Sequence, residues 1–321
     1  MTAAQDWSRR RSHHHAEFPA EAIRRTRRET ISVCLPAREV ATTIGPILGA
    51  LLGLRDEGVV DQVVVVDAGS ADGTAPIAER AGAEVYQEAD LMPGFGPVRG
   101  KGDAMWRALS VLEGDIVVYL DSDSEAFGPH FACGLAGPLV GDPDVHFVKA
   151  FYRRPFRLGD TVMPDGGGRV TELTARPLLN LFWPDLAGLR QPLSGEVAAR
   201  RSVLERVPFA TGYGVEIAML IDVYRAVGLD AVAQVDLDVR QNFHQPLADL
   251  YPMACAVLQA AATRLAREGR LDGPLPDEVL PPGTGGRPSG DAVPAPIAGL
   301  IERHELDLVE RPPMASLRAA A

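Results

Sequence analysis

Three runs constrain the fold more than anything else in this chain: ISVCLP (31–36), QVVVVDA (62–68) and DIVVYLDSD (115–123). Each is continuously apolar and rich in β-branched residues, so each must be buried on both faces. Helical patterns lie between them, near 41–54 and over KGDAMWRALSVLEG (101–114), and EVYQE (84–88) reads as one more strand. Strands alternating with helices predict a doubly wound, Rossmann-like α/β domain with a mostly parallel sheet. Such sheets bind ligands beyond the carboxyl ends of their strands.

The rhythm loosens after about residue 145. HFVKAFYRRP reads as a strand, GGGRVTELTARPLLNLF as a Gly-rich loop entering a helix, and YGVEIAMLIDVYRAVG as an amphipathic helix. AVAQVDLDVRQNF is strand-like, LADLYPMACAVLQAAATRLARE is a long helix, and residues 273–298 form a Pro- and Gly-rich loop. This divides the chain into a flexible arm or short helix (1–29), a doubly wound α/β domain (30–150) and a C-terminal lobe (151–321). The formal charge of −11 argues against nucleic-acid or anionic-membrane partners, because phosphate affinity needs a basic face. Three scattered cysteines, no secretion signal and no run long enough to span a bilayer predict a cytoplasmic protein.

Asp121 and Asp123 end the fourth strand. In extended backbone residues i and i+2 point the same way, so both carboxylates converge where a ligand sits. Such a pair suits a hard divalent cation on diphosphate oxygens; the bland alternative is a turn with Asp capping the next helix. Asp67 and Ser70 in DAGSADGT either form a turn and cap or meet a nucleoside. GFGPVRGKG (94–102) is one residue too long for a dinucleotide fingerprint. It is either a surface loop or one that brings Arg99 and Lys101 onto a diphosphate. GGGRVT (166–171) puts three glycines and Arg169 at a helix start, which favours phosphate or carboxylate binding over a plain loop.

Together these motifs resemble a GT-A nucleotide-sugar glycosyltransferase. GGGRVTEL, QPLSGE, GYGVEI, FYRRP and VERPPM narrow the resemblance to the actinobacterial glucosyl- and mannosyl-3-phosphoglycerate synthases, over roughly residues 30–315. The resemblance implies retaining, Mg²⁺- or Mn²⁺-dependent homodimers that join a hexose to the 2-hydroxyl of D-3-phosphoglycerate. It puts Pro36, Ala37, Arg38, Glu39, Ser70, Lys101, Asp121, Ser122, Tyr213 and Gly214 on the donor. It makes 30–150 the nucleotide-sugar-binding α/β domain and 151–321 the acceptor-binding lobe, with Asp123 on the metal, completed by His244, by Asn242 or by neither, and Gly168, Arg169, Val170, Thr171 and Asn242 on the acceptor. Leu193, Ser194 and Glu216 border the reacting sugar. Where the glucosyl members read PALNEE this chain reads PAREVA, and where they carry His it carries Asn242, with His244 two residues on. These departures incline the expected donor to GDP-mannose, with UDP- or GDP-glucose as the alternative. A sugar-nucleotide sensor on the same fold is the competing class, and a nucleotidyltransferase would need a Gly-rich signature that PAREVA lacks.

Overall fold

The computed structural model describes residues 3–158, 161–163, 167–240, 247–272, 278–279, 304–305 and 308–318. Its centre is an eight-stranded sheet in the order β1-β11-β6-β9-β5-β2-β3-β4. The strands are β1 (Ser12–His14), β2 (Ile31–Ala37), β3 (Gln62–Asp67), β4 (Glu84–Gln87), β5 (Ile116–Tyr119), β6 (Phe147–Arg153), β9 (Val197–Arg200) and β11 (Val232–Val239). A side hairpin supplies β7 (Phe156–Leu158) and β8 (Thr161–Met163), and β10 (Phe209–Ala210) pairs antiparallel with Glu310–Arg311. The predicted parallel sheet is therefore present, and the apolar runs are explained by their two-sided burial. In β5, Ile116 and Val118 enter one core while Val117 and Tyr119 enter the other. The first core packs under α3 (Ile44–Asp56) and α6 (His130–Gly141), the second under α5 (Lys101–Ala108) and α9 (Val215–Val227).

One strand runs the other way. β9 is antiparallel to both β5 and β6, so its N-terminal end lies at the edge where its neighbours deliver their C-terminal ends. Residues preceding β9 thus join residues following β2, β5, β6 and β11 at one rim.

The divisions read from composition do not divide the sheet. The first 29 residues hold helices Ala3–Arg11 (α1) and Ala20–Thr26 (α2), and between them β1 extends the main sheet beside β11. Trp7 is fully buried, with its indole N–H donating to the Val232 carbonyl at 2.8 Å, and Ile23 is buried as well. One tryptophan and one isoleucine anchor a segment whose Arg/His-rich composition reads as an arm. The division at residue 150 falls inside β6, and β9 and β11 from the second half complete the same sheet. Among the described residues no helix is long and apolar enough to cross a membrane, and the three cysteines are buried and free.

Candidate active site

A cavity of about 730 Å³ opens at this rim. β5 ends at Tyr119, and the chain beyond it carries Asp121 and Asp123 past a bend at Ser122. The two carboxylates converge on one nitrogen, Nη2 of Arg240, at 2.9 and 2.6 Å. Arg240, just past β11, is buried, and its other terminal nitrogen meets Glu196 at 3.1 Å and the Tyr152 hydroxyl at 3.0 Å. Lys101, the first residue of α5, donates to Asp121 at 2.5 Å and to Glu216 at 3.0 Å. Burial alone would favour neutral Asp121, yet Lys101 and Arg240 hold its carboxyl far below the usual range. Burial likewise opposes charge on Lys101, and Asp121 and Glu216 raise its pKa despite that.

Four carboxylates (Asp121, Asp123, Glu196, Glu216) are in direct contact with two cations (Lys101, Arg240), an excess of two negative charges. Oxygen donors of Asp121 and Asp123 sharing one cationic point fit a hard divalent ion, which prefers carboxylate oxygens.

The backbone around this cluster is shaped to it. A Cβ on Gly195 would sit 2.4 Å from Asp121 Oδ1 and Lys101 Nζ, so a side chain there would have to displace the Lys101–Asp121 pair. The carbonyl of Ser194 accepts from Lys149 Nζ at 2.6 Å, and burial lowers the Lys149 pKa to about 8. Glu216 stands in the first turn of α9, where a carboxylate faces the positive end of the helix dipole. Gly214 caps that helix, and a side chain on it would strike Leu308. Opposite, Gly168 has φ of +77° and is followed by a π-turn, Thr171–Ala175, leading into α7 (Arg176–Phe182). Such turns concentrate at functional sites, where they widen a helix to re-aim its side chains.

Of the expected residues, Pro36, Ala37, Arg38, Lys101, Asp121, Ser122, Asp123, Gly168, Arg169, Val170, Thr171, Leu193, Tyr213 and Glu216 line the one cavity. Glu39, Ser70, Ser194 and Gly214 do not; they hold the walls. The Glu39 amide donates to the Ser70 hydroxyl at 2.9 Å, tying the loops after β2 and β3. Asp67 is buried and accepts from the Ser70 amide at 3.0 Å, which is the turn reading of that motif. The GFGPVRGKG loop is no detached surface loop: Val98, Gly100 and Lys101 line the cavity, and the Arg99 carbonyl accepts from Gly212 N–H. Asn242 and His244 lie outside the described residues. Arg240 and Glu196 escaped the sequence reading. The rule that singles out Asp121, a charged residue leaving the carboxyl end of a parallel strand, applies equally to Arg240. Glu88, just past β4, is a third omission; it lines the cavity, and burial with nearby Asp103 raises its pKa to about 7.

A doubly wound sheet with a convergent Asp pair, a half-buried lysine and a buried arginine at its carboxyl rim is the arrangement of a GT-A glycosyltransferase. Residues 32–164 match the glycosyl transferase family 2 profile. Glucosyl-3-phosphoglycerate synthase of Petrotoga mobilis is 42% identical over 82% of this chain and 83% of its own length. The enzyme of that name from Mycobacterium tuberculosis is 44% identical over 90% of this chain and 86% of its own. The solved mannosyl-3-phosphoglycerate synthase of Rubrobacter xylanophilus superposes with a TM-score of 0.87 at 47% identity, covering 98% of each chain. The mycobacterial structure with Mn²⁺, UDP and glucosyl-3-phosphoglycerate superposes with a TM-score of 0.74 at 41% identity, over 93% of this chain and 95% of that one. The chain belongs to the glucosyl- and mannosyl-3-phosphoglycerate synthase family of glycosyltransferases.

Proposed function

We propose that this enzyme transfers mannose from GDP-mannose to the 2-hydroxyl of D-3-phosphoglycerate, with retention and with a divalent cation, Mg²⁺ or Mn²⁺. The observation that carries the transfer reaction is the pairing, in one cavity, of the Asp121–Asp123–Arg240–Lys101 cluster with the Gly168–Thr171 turn bearing Arg169. One side suits a diphosphate and its cation, the other a second anion. When bound, the cation neutralises charge developing on the leaving diphosphate. Asp121 and Asp123 would hold it, and Lys101 and Arg240 would exchange carboxylate contacts for phosphate oxygens. Glu216 and the Leu193–Ser194 backbone would border the sugar, fixed by Lys101 and Lys149. No separate nucleophile and acid–base pair is needed if departure and attack share one face, the leaving phosphate taking the hydroxyl proton. Positioning is the main task.

The mannosyl reading is supported by PAREVA, whose Arg38 lines the cavity, and by the coverage and TM-score of the Rubrobacter mannosyl enzyme. Glucose from UDP-glucose is the second reading, because the Petrotoga and mycobacterial relatives are glucosyl enzymes. A donor panel (GDP-mannose, GDP-glucose, UDP-glucose, ADP-glucose) with 3-phosphoglycerate decides, with product anomer read by NMR. GDP-mannose is expected to give the highest kcat/KM; a UDP-glucose preference transfers the assignment to the second reading. Transfer from none of them would end the hexosyltransferase proposal.

Arg169 is assigned to the acceptor. Lysine keeps the charge but loses the planar fork that grips phosphate or carboxylate with two bonds. Arg169→Lys should raise the acceptor KM at least tenfold, about 1.4 kcal/mol, and leave the donor KM nearly unchanged. Kinetics varying each substrate separately check this; a raised donor KM with unchanged acceptor KM moves Arg169 to the nucleotide side.

A further inference from the structure

We propose that His14, His15 and Asp238 form a binding site for a borderline transition-metal ion, Zn²⁺ being the physiological candidate, at the junction of the N-terminal segment and β11. One ligand atom from each lies within 4.8 Å of the others, and none of the three lines the sugar-transfer cavity. His15 Nε2 is 2.8 Å from Asp238 Oδ2, and His14 Nε2 is 3.4 Å from Asp238 Oδ1. Two imidazoles thus approach the two oxygens of one carboxylate. Two nitrogens and an oxygen, with a water as fourth ligand, suit Zn²⁺ over Mg²⁺, which takes oxygen donors.

Asp238 is brought there by a built device. The register of β11 against β6 runs Asp236↔Phe151 and then Val239↔Arg153, so β11 carries one extra residue. Asp238 sits in that bulge with φ of +69°, its amide donating to Asp236 at 2.9 Å. The bulge brings its carboxylate to His14, the last residue of β1, and His15, the first residue after it. The His130 ring packs on His15, tilted, with centroids 4.6 Å apart. His13 is committed elsewhere, to Glu17 at 3.2 Å and to the edge of Phe18. The run of three histidines is therefore split by the structure into two ligands and one bystander.

Coordination through His14 Nε2 has a local consequence. The ring proton must then reside on Nδ1, which at present accepts from the Ala16 amide at 3.2 Å. That amide is released to solvent when the metal binds, and it reports binding.

The test is Zn²⁺ titration of the full-length protein, by calorimetry in saturating Mg²⁺, for wild type and three variants. Wild type is expected to bind one equivalent more than His15→Gln. Asp238→Asn, which tolerates positive φ as well as Asp does, should weaken that equivalent at least tenfold. His13→Gln should leave it unchanged. Equal losses from His13→Gln and His15→Gln, or an unaffected Asp238→Asn, would reveal only a loose histidine run and overturn the site. So would a wild type with no additional equivalent. Should a variant fail to fold, wild type alone answers: one equivalent of Zn²⁺ should shift the Ala16 amide resonance, and an unmoved signal rejects the proposal.

Discussion

Replacing Asp123 by alanine should leave a folded protein whose turnover has fallen about 10²–10³-fold, the usual loss when one preorganised electrostatic group is removed. The fold survives because the Asp123 side chain is 56% exposed, and Arg240 keeps Asp121 and Glu196 as partners. Activity does not, because Asp121 alone no longer offers two oxygens to one cationic point. Turnover at saturating Mn²⁺ is the measurement, with circular dichroism to show an intact fold. A variant keeping half of wild-type turnover would remove Asp123 from the cation site.

Arg311→Ala should act oppositely, on stability first. The VERPP segment returns to pair with β10, and Arg311 reaches Asp103 through Nη2 at 2.6 Å and Nε at 2.8 Å. Asp103 is fully buried. Burial would raise its pKa, but bonds from Arg311 and Arg107 hold the carboxyl below its usual range. Removing one partner of a buried pair costs about 3–5 kcal/mol, and since Arg107 remains at 3.1 Å we expect the low end, about 3. Urea unfolding reads this directly; a loss under about 1 kcal/mol would show the contact to be dispensable. Activity should fall too, because Asp103 sits one turn into the helix that presents Lys101.

The parallel half of the fold was legible because burial on both faces leaves an unbroken apolar run that no surface helix or half-exposed strand shares. The N-terminal segment was not, since three residues of edge strand held by Trp7 leave no periodic trace among arginines and histidines. The division at residue 150 misled for a related reason. Strand direction and sheet membership of β9 and β11 are decided by distant partners, and local composition carries no record of them. In the site, Asp121, Lys101 and Arg169 stood out through local motifs. Arg240 did not, because its importance lies in three acidic partners supplied by other strands, two near 120 and one at Glu196.

The reversed direction of β9 also bears on the order in which this molecule takes shape. Between β2 and β3 contacts are local: Ser32 meets Gln62 across 30 residues. The ionic cluster is closed over far greater spans, 115 residues between Lys101 and Glu216 and 117 between Asp123 and Arg240. Loop-closure entropy grows by only about 0.6 kcal/mol per doubling, so these spans add little thermodynamic penalty. Kinetically they matter more, because distant pairings form after local ones and slow the search. β9 lies between β5 and β6, so the sheet is continuous from β5 to β6 and β11 only through a strand that enters from the opposite direction. Contact order therefore leads us to expect that the Asp121–Asp123–Arg240 contacts form after the local β2–β3 pairing. Slower protection of the β6 and β11 amides than of those in β2 and β3, read by hydrogen exchange during refolding, is the expected result.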